Sequence, residues 1–427
     1  MKKSTARVLL ATFGSYGDVQ PMIGLGSELQ RHGATATVLT NGYFESAVRA
    51  AGLDFVAVTD AAEYEAITLN QDLWHPRRGL ELVARAWANL LPPVYEAILQ
   101  NYQPGETVVV ATAVTFAARV AQEKAGVPLA TVHIQPAMFR SLFEMPRLPM
   151  MPPTEWLPRF GKRLLYWLGD RVFDGAIAGD VNAFRAQFGL RPIRRILQEW
   201  SLSPQLVVGL FPDWFAAPQP DWPRQSLLSG FPLYDGDDGS ELPGNAQRFL
   251  DAGDAPIAFT PGSAMRQGQP FFAAAAEACR LLGRRGILLT RYPEQVPAEL
   301  PEGVVHFDYL PFGRLLPRCA ALVHHGGAGT TAQGFAAGIP QLIMPMAFDQ
   351  PDNAARAVRL GVARTISRRS FHPRAVSRLL RQLIEEPAIA ERCQQLSGRC
   401  RDPHRFARVC EAILQLATTG TTTARAQ

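Results

Sequence analysis

The five cysteines, Cys279, Cys319, Cys393, Cys400 and Cys410, include no C-x-x-C pair. An odd count without metal spacing argues against a disulfide framework or a zinc site, and reads as free thiols in a reducing cytoplasm. An excess of one charge is also missing. The net charge is +5 over 427 residues, with no dense Lys/Arg block. Nucleic acid is therefore not an expected partner, while weak attraction to anionic lipid or phosphate stays open. Charge is absent altogether from Cys319 to Phe348. That length is enough to cross a membrane, but its Gly, Pro, His and Thr residues read as buried protein interior. The opening run, "MKKSTARVLLATFG", is short and "GSYGD" follows where a cleavage site would lie. It reads as a first strand, with a signal peptide as the lesser alternative. No internal repeat of solenoid period is present.

What the sequence does have is short apolar runs alternating with helical stretches. Strands are expected at Arg7–Phe13, Thr35–Thr40, Asp54–Val58, Thr107–Thr112, Leu129–Ile134 and Gln205–Leu210. A second set is expected at Pro256–Thr260, Gly286–Thr290, Val304–Phe307, Ala321–His324 and Gln341–Pro345. Continuous apolar strands separated by helices imply parallel sheets covered on both faces. Eleven strands suit two doubly wound α/β domains better than one sheet. The rhythm restarts after a Gly/Pro/Asp-rich stretch near Gly230–Asn245. This gives domains at 1–230 and 251–400, a linker at 231–250, a helix at 401–417 and a disordered tail at 418–427.

Phe139–Trp200 mixes Met, Phe, Trp and Pro with Arg and Lys. It is read as an extra helical layer, as an adaptable apolar wall for a greasy substrate, or as a membrane-surface helix.

Four motifs follow strands. "FGSYGDVQP" (Phe13–Pro21) turns tightly at Gly14, Ser15 and Gly17, at a carboxyl strand end where open α/β sheets bind ligands. Its spacing is not the dinucleotide G-x-G-x-x-G. Asp18 then opens a helix, where a plain N-cap is the competing reading. "FTPGSA" (Phe259–Ala264) offers small residues that let a phosphate approach the backbone. "HHGGAGTT" (His324–Thr331) leads into a helix whose N–H groups and dipole favour an anion, with a histidine beside it to donate a hydrogen bond. It is not a Walker loop, since no G-K-[ST] follows, and no partner residue has metal-site spacing. "PMAFDQPDNA" (Pro345–Ala354) gathers Asp349, Gln350 and Asn353, which suit sugar hydroxyls or, alternatively, helix capping by Asp349 or Asp352. The "DGD" at Asp235–Asp237 reads as a solvated turn rather than a metal site.

In this order the motifs resemble the family 1 glycosyltransferases over nearly the whole chain. The resemblance implies the GT-B fold, two Rossmann-like domains facing across a cleft. It implies Asp18 as general base and His324 as the phosphate-binding histidine. His325, Gly327, Ala328, Gly329 and Thr330 stand with it in the phosphate cradle, and Gly14 and Ser15 in the facing loop. Asp349 and Gln350 match the sugar-contacting pair, Ser263 the phosphate-side serine, and Tyr309 and Leu310 the loop that meets the nucleobase. The family's last helix returns to the first domain, and Arg405–Ala417 matches it.

Within the family, "SPQLVVGLFPDWFAAPQPDWP", "GFPLYDG", "LWHPRRG" and "PPVYEAI" are similar to the rhamnosyltransferases of rhamnolipid synthesis. That implies inverting transfer from dTDP-L-rhamnose to a 3-(3-hydroxyalkanoyloxy)alkanoate, with no metal. A UDP-sugar donor with a sterol, polyketide or other hydrophobic acceptor, a non-catalytic GT-B partner subunit, and a sugar-nucleotide epimerase are the other readings. The implied partners are a nucleotide-sugar and a hydrophobic or lipid acceptor, with no nucleic acid. The implied setting is cytoplasmic, with weak peripheral contact at the inner membrane face left open.

Overall fold

The computed structural model describes residues 6–70, 78–149, 151, 154–236, 241–263 and 265–419. Seven strands form a first sheet: β1 (Arg7–Ala11), β2 (Thr35–Asn41), β3 (Asp54–Thr59), β4 (Thr107–Thr112), β5 (Leu129–His133), β6 (Leu206–Gly209) and β7 (Ser226–Leu228). Their order is β3-β2-β1-β4-β5-β6-β7. Six more form a second sheet: β8 (Ile257–Thr260), β9 (Gly286–Leu289), β10 (Val304–Phe307), β11 (Ala321–His324), β12 (Gln341–Ile343) and β13 (Ala363–Thr365). Their order is β10-β9-β8-β11-β12-β13. Every pairing is parallel.

Parallel strands survive here because helices cover both faces. All six residues of β4 are buried. One side of the first sheet packs Val8, Leu10, Val108 and Val110 against Met22 and Leu25 of the Tyr16–Arg31 helix. The other packs Leu9, Val109 and Leu129 against Val94, Ile98 and Val120. The last helix, Ala407–Thr419, buries Val409, Cys410 and Ile413 in the first of these two layers, so the chain ends on the sheet where it began. All five cysteines are free and buried. Among the described residues, no helix is long and apolar enough to cross a membrane.

β7 and β13 were not expected. Each is a three-residue edge strand without an apolar run, so its pairing comes from a neighbour rather than from its own pattern. The 231–250 stretch, expected as linker, is corrected in part. It contains most of the Gly244–Asp251 helix, whose Ala246 and Leu250 join Ala258 and Ile287 of the second sheet. The last helix reaches Thr419, two residues into the expected tail. Residues 420–427, Asp237, and Leu73–Arg77 of "LWHPRRG" lie outside the described residues.

Strand order reverses between β1 and β4 in one sheet and between β8 and β11 in the other. Loops leaving the carboxyl ends at such a point diverge and open a crevice. The two crevices share one cavity of about 1350 Å³, lined by the loops after β1, β4, β8, β9, β10, β11 and β12. Several contacts tie the halves around it. Arg291 Nη1 donates to Tyr16 Oη at 2.9 Å, and Gln333 Nε2 to the Leu233 carbonyl at 3.0 Å. The Arg147 N–H donates to Asp352 Oδ1 at 3.0 Å, and Glu144 pairs with Arg359 at 2.8 Å.

Candidate active site

The loop after β1 places Asp18 on the cavity. Ser15, not Asp18, is the N-cap of the Tyr16–Arg31 helix, which corrects the competing reading. Asp18 is the third helical residue and completes a capping box. Its Oδ2 accepts from Ser15 N at 2.8 Å and Ser15 Oγ at 3.1 Å. Both bonds fall on one oxygen, and Oδ1 makes none among the described residues. Burial raises the carboxyl above the ordinary aspartate value, against the two Ser15 bonds that pull it down. Gly14 has φ +137°, and a Cβ there would overlap the Asp18 carboxylate. Gly14→Ala is therefore expected to displace Asp18 and cut kcat/KM about 100-fold, the cost of a misplacement near 1 Å. Nucleotide affinity by calorimetry should stay unchanged; a fully active Gly14→Ala protein would break the link.

The histidine pair divides by one residue. His324 is the last residue of β11 and is fully buried. Gly326 N–H donates to its Nδ1 at 3.1 Å, which leaves the proton on Nε2, directed at Gln341 Oε1 2.9 Å away. Gln341 Nε2 in turn donates to the Thr331 carbonyl. Burial lowers His324 to about 3, so the ring is neutral. The expectation that His324 contacts phosphate is thus corrected: it does not line the cavity but braces the loop. His325 is the first residue beyond the strand, and its ring lines the cavity.

Two glycines explain the sequence of that loop. A Cβ on Gly262 would stand 2.8 Å from His325 Cε1, and one on Gly327 would stand 2.6 Å from Nε2. The imidazole fills a slot that only bare backbone leaves open. Its Nδ1 has no partner among the described residues, and burial lowers the ring to about 4. Beside it the Ala328–Ala337 helix begins at Gly327 with no side-chain cap, and Gly327, Ala328, Gly329 and Thr330 line the cavity. Uncapped N–H groups and the helix dipole together favour an anion there.

Asp349, Gln350, Gly14, Ser15, Ser263, Tyr309 and Leu310 also line the cavity. Gln350 Oε1 accepts from Met346 N at 2.8 Å and Ala347 N at 3.0 Å, which leaves its amide N–H groups for a ligand. Burial raises Asp349 to about 6, with smaller contributions from the charges of Asp18 and Asp352, against a hydrogen bond from Asn353. Asp349 is the N-cap residue but makes no capping bond. Phe348 before it is held at φ +56°, an unusual backbone for a bulky residue and a common companion of ligand loops.

The expectation that Asn353 meets a ligand is corrected as well. The residue is fully buried off the cavity, and its Nδ2 donates to the Gly326 carbonyl at 3.0 Å and Asp349 Oδ2 at 2.6 Å. It fastens the β11 loop to the β12 loop rather than meeting a ligand. Asp352 is engaged by Arg356 at 2.7 Å instead of capping the helix. The solvated turn expected at Asp235 is corrected: its side chain is buried and accepts from the distant Gly313 N–H at 2.6 Å. No cluster of three metal-ligating side chains is found among the described residues.

Sequence reading missed Arg291, which stacks on Tyr16 at 4.7 Å and Tyr309 at 5.6 Å. It also missed Gln341. Neither sits in a glycine-rich motif, and each matters through a partner distant in the chain.

Residues 8–144 match the glycosyltransferase family 28 N-terminal domain, and residues 287–413 the erythromycin biosynthesis protein CIII-like C-terminal domain. The chain belongs to the family 1 glycosyltransferases. It is 29% identical to O-mycaminosyltylonolide 6-deoxyallosyltransferase of Streptomyces fradiae, over 97% of this glycosyltransferase and 99% of that one. The glycosyltransferase of kitacinnamycin has a similar structure, with a TM-score of 0.74 at 20% identity, over 97% and 99% of the two chains. Spinosyn rhamnosyltransferase complexed with thymidine diphosphate superposes with a TM-score of 0.68 at 17% identity, over 95% and 100%. These two likenesses establish the GT-B fold.

Proposed function

We propose that this glycosyltransferase moves L-rhamnose from dTDP-L-rhamnose to the hydroxyl of a 3-(3-hydroxyalkanoyloxy)alkanoate, with inversion. The reading rests above all on one arrangement. A carboxylate with an unengaged oxygen, Asp18, shares a cavity with the uncapped Ala328–Ala337 helix and His325. An alcohol is a weak nucleophile until a base takes its proton as the C–O bond forms. Asp18 is that base. The bond to the diphosphate breaks on the opposite face of the sugar, which inverts the anomeric carbon. The leaving diphosphate gains charge, and the helix N–H groups and His325 stabilise it. Asp349 and the Gln350 amide hold the sugar hydroxyls, Ser263 a phosphate oxygen, and the Tyr309–Leu310 loop the base. No step requires a metal.

The lipid acceptor is supported by the lining around Met138, Met145, Leu148, Met151 and Phe173, flexible and apolar. Arg140 lines the same part of the cavity and shares its charge with Asp170. The thymidine diphosphate carried by the spinosyn enzyme supports the donor. A second reading, a polyketide acceptor, is favoured by the nearly full-length likeness to the O-mycaminosyltylonolide 6-deoxyallosyltransferase. A non-catalytic partner has no need of Asp18 and the Asp349–Gln350 pair in one cavity.

The test is mass spectrometry of products from purified protein. It is given dTDP-L-rhamnose or UDP-glucose, each with the hydroxyalkanoyloxyalkanoate or a macrolide aglycone. Rhamnosylated lipid from the first donor alone is expected. A glycosylated macrolide with unmodified lipid would overturn the acceptor, and product from UDP-glucose alone would overturn the donor.

A further inference from the structure

The Arg159–Ala186 helix has two apolar sides. On one, Leu165, Tyr166, Gly169 and Phe173 line the cavity. On the other, Phe160, Leu164, Trp167, Leu168 and Val172 face solvent, with Trp156 just before the helix. These six side chains are between 48% and 78% exposed. From Phe160 to Val172 the stripe runs about 18 Å at a helical rise of about 1.5 Å per residue. A contiguous exposed apolar patch of this kind marks a binding surface.

Charge selects its occupant. Between Trp156 and Gly169 the charged residues are Arg159, Lys162 and Arg163, all cationic. Lys162 is buried against the Phe143 carbonyl. Arg159 lies over the Phe143 ring at 4.1 Å, and Arg171 over the Trp167 ring at 4.2 Å. Arg163 is exposed and makes no ion pair among the described residues. Of the nearby acids, exposed Glu155, next to Trp156, pairs with Arg147. Asp170 is held by Arg140 and Gln198, and Asp174 by the N–H groups of Arg195 and Ile196. Exposed Arg191 and Arg194 extend the positive field beyond the helix.

We infer that this face docks on an anionic lipid bilayer, lying in the interface with Phe160, Leu164, Trp167, Leu168 and Val172 in the acyl boundary and the arginines among the headgroups. Tryptophan at that depth and arginine with a partly buried stem both suit such a surface. A protein partner or second copy would bury the same stripe but has no need of uncompensated cations around it. The docking stands without any particular acceptor. If the acceptor is a lipid, one helix would separate the bilayer from the cavity that receives it.

Flotation of the full chain with vesicles tests this. Binding to phosphatidylglycerol-containing vesicles, weakened by salt, and none to pure phosphatidylcholine is expected. Phe160→Ser, Leu164→Ser and Trp167→Ser combined should abolish binding. Arg159→Gln, Arg163→Gln and Arg171→Gln should each reduce it about fivefold. These side chains are exposed, so an unchanged thermal midpoint and nucleotide affinity verify each variant's fold. The inference falls if the wild-type chain ignores anionic vesicles or if the apolar triple variant still binds them. It also falls if light scattering shows a dimer that the triple variant abolishes while vesicle binding is absent.

Discussion

Asp18→Asn is expected to lower kcat by about 10²–10⁴, the usual contribution of a general base, while dTDP affinity stays at the wild-type level. The substitution isolates the chemistry. Asparagine has the shape of aspartate, and its carbonyl oxygen can still accept from the Ser15 N–H, so the capping box keeps one of its two Oδ2 bonds. What is lost is an oxygen able to take a proton. The proposed nucleotide cradle lies on the other sheet, around His325 and Gly327–Thr330, so calorimetry of dTDP should not register the change. Acidity gives a second readout. The proposed base must be ionised to act, and burial raises the pKa of Asp18. As pH falls through that raised value, kcat/KM should fall too, since it reports ionisations of the free enzyme. The acid limb should therefore lie above the ordinary aspartate range. Near-full turnover in Asp18→Asn would dismiss Asp18 as the base and turn attention to Asp349, raised to about 6 in the same cavity.

How much of this was written in the sequence differs by element. The strands of both sheets were legible because a strand buried on both faces must be apolar along its length, as "TVVVAT" and "ALVH" are. The crevice was legible because glycine clusters follow those strands. The short edge strands β7 and β13 were not, since an edge needs no apolar run. The division of labour between His324 and His325 was hidden as well. It depends on which residue is the last to pair with β8 and β12, and His324 is, opposite Thr260 and Ile343. The strand end itself was legible at His324; the direction of its ring was not, and only its bonds to the Gly326 N–H and Gln341 Oε1 show it. Asn353 was misjudged for a related reason. A polar side chain near a ligand loop reads the same whether it points at a ligand or ties two loops together, and only its contacts with Gly326 and Asp349 tell them apart.

The histidine pair supplies the second large effect, and the two replacements should fail differently. His325→Ala is expected to weaken dTDP binding roughly 10- to 100-fold, because a hydrogen bond to a charged group is worth about 1.5–3 kcal/mol. Its Nδ1 has no partner among the described residues to lose. Thermal stability should then change little, although the slot between Gly262 and Gly327 is emptied. His324→Ala removes a ring that holds Gly326 N–H and Gln341 Oε1 in a fully buried place. Two buried polar groups are left unpaired beside a new cavity, a loss of roughly 3 kcal/mol of stability. Its main signature should be a lowered Tm. Gln341→Ala should resemble it, since it breaks the same chain from Gly326 to the Thr331 carbonyl. Calorimetry of dTDP and thermal unfolding, run on all three variants, separate the roles. If His324→Ala lost the nucleotide at unchanged Tm while His325→Ala bound it normally, the phosphate contact would return to His324. The glycines flanking His325 would then need another explanation.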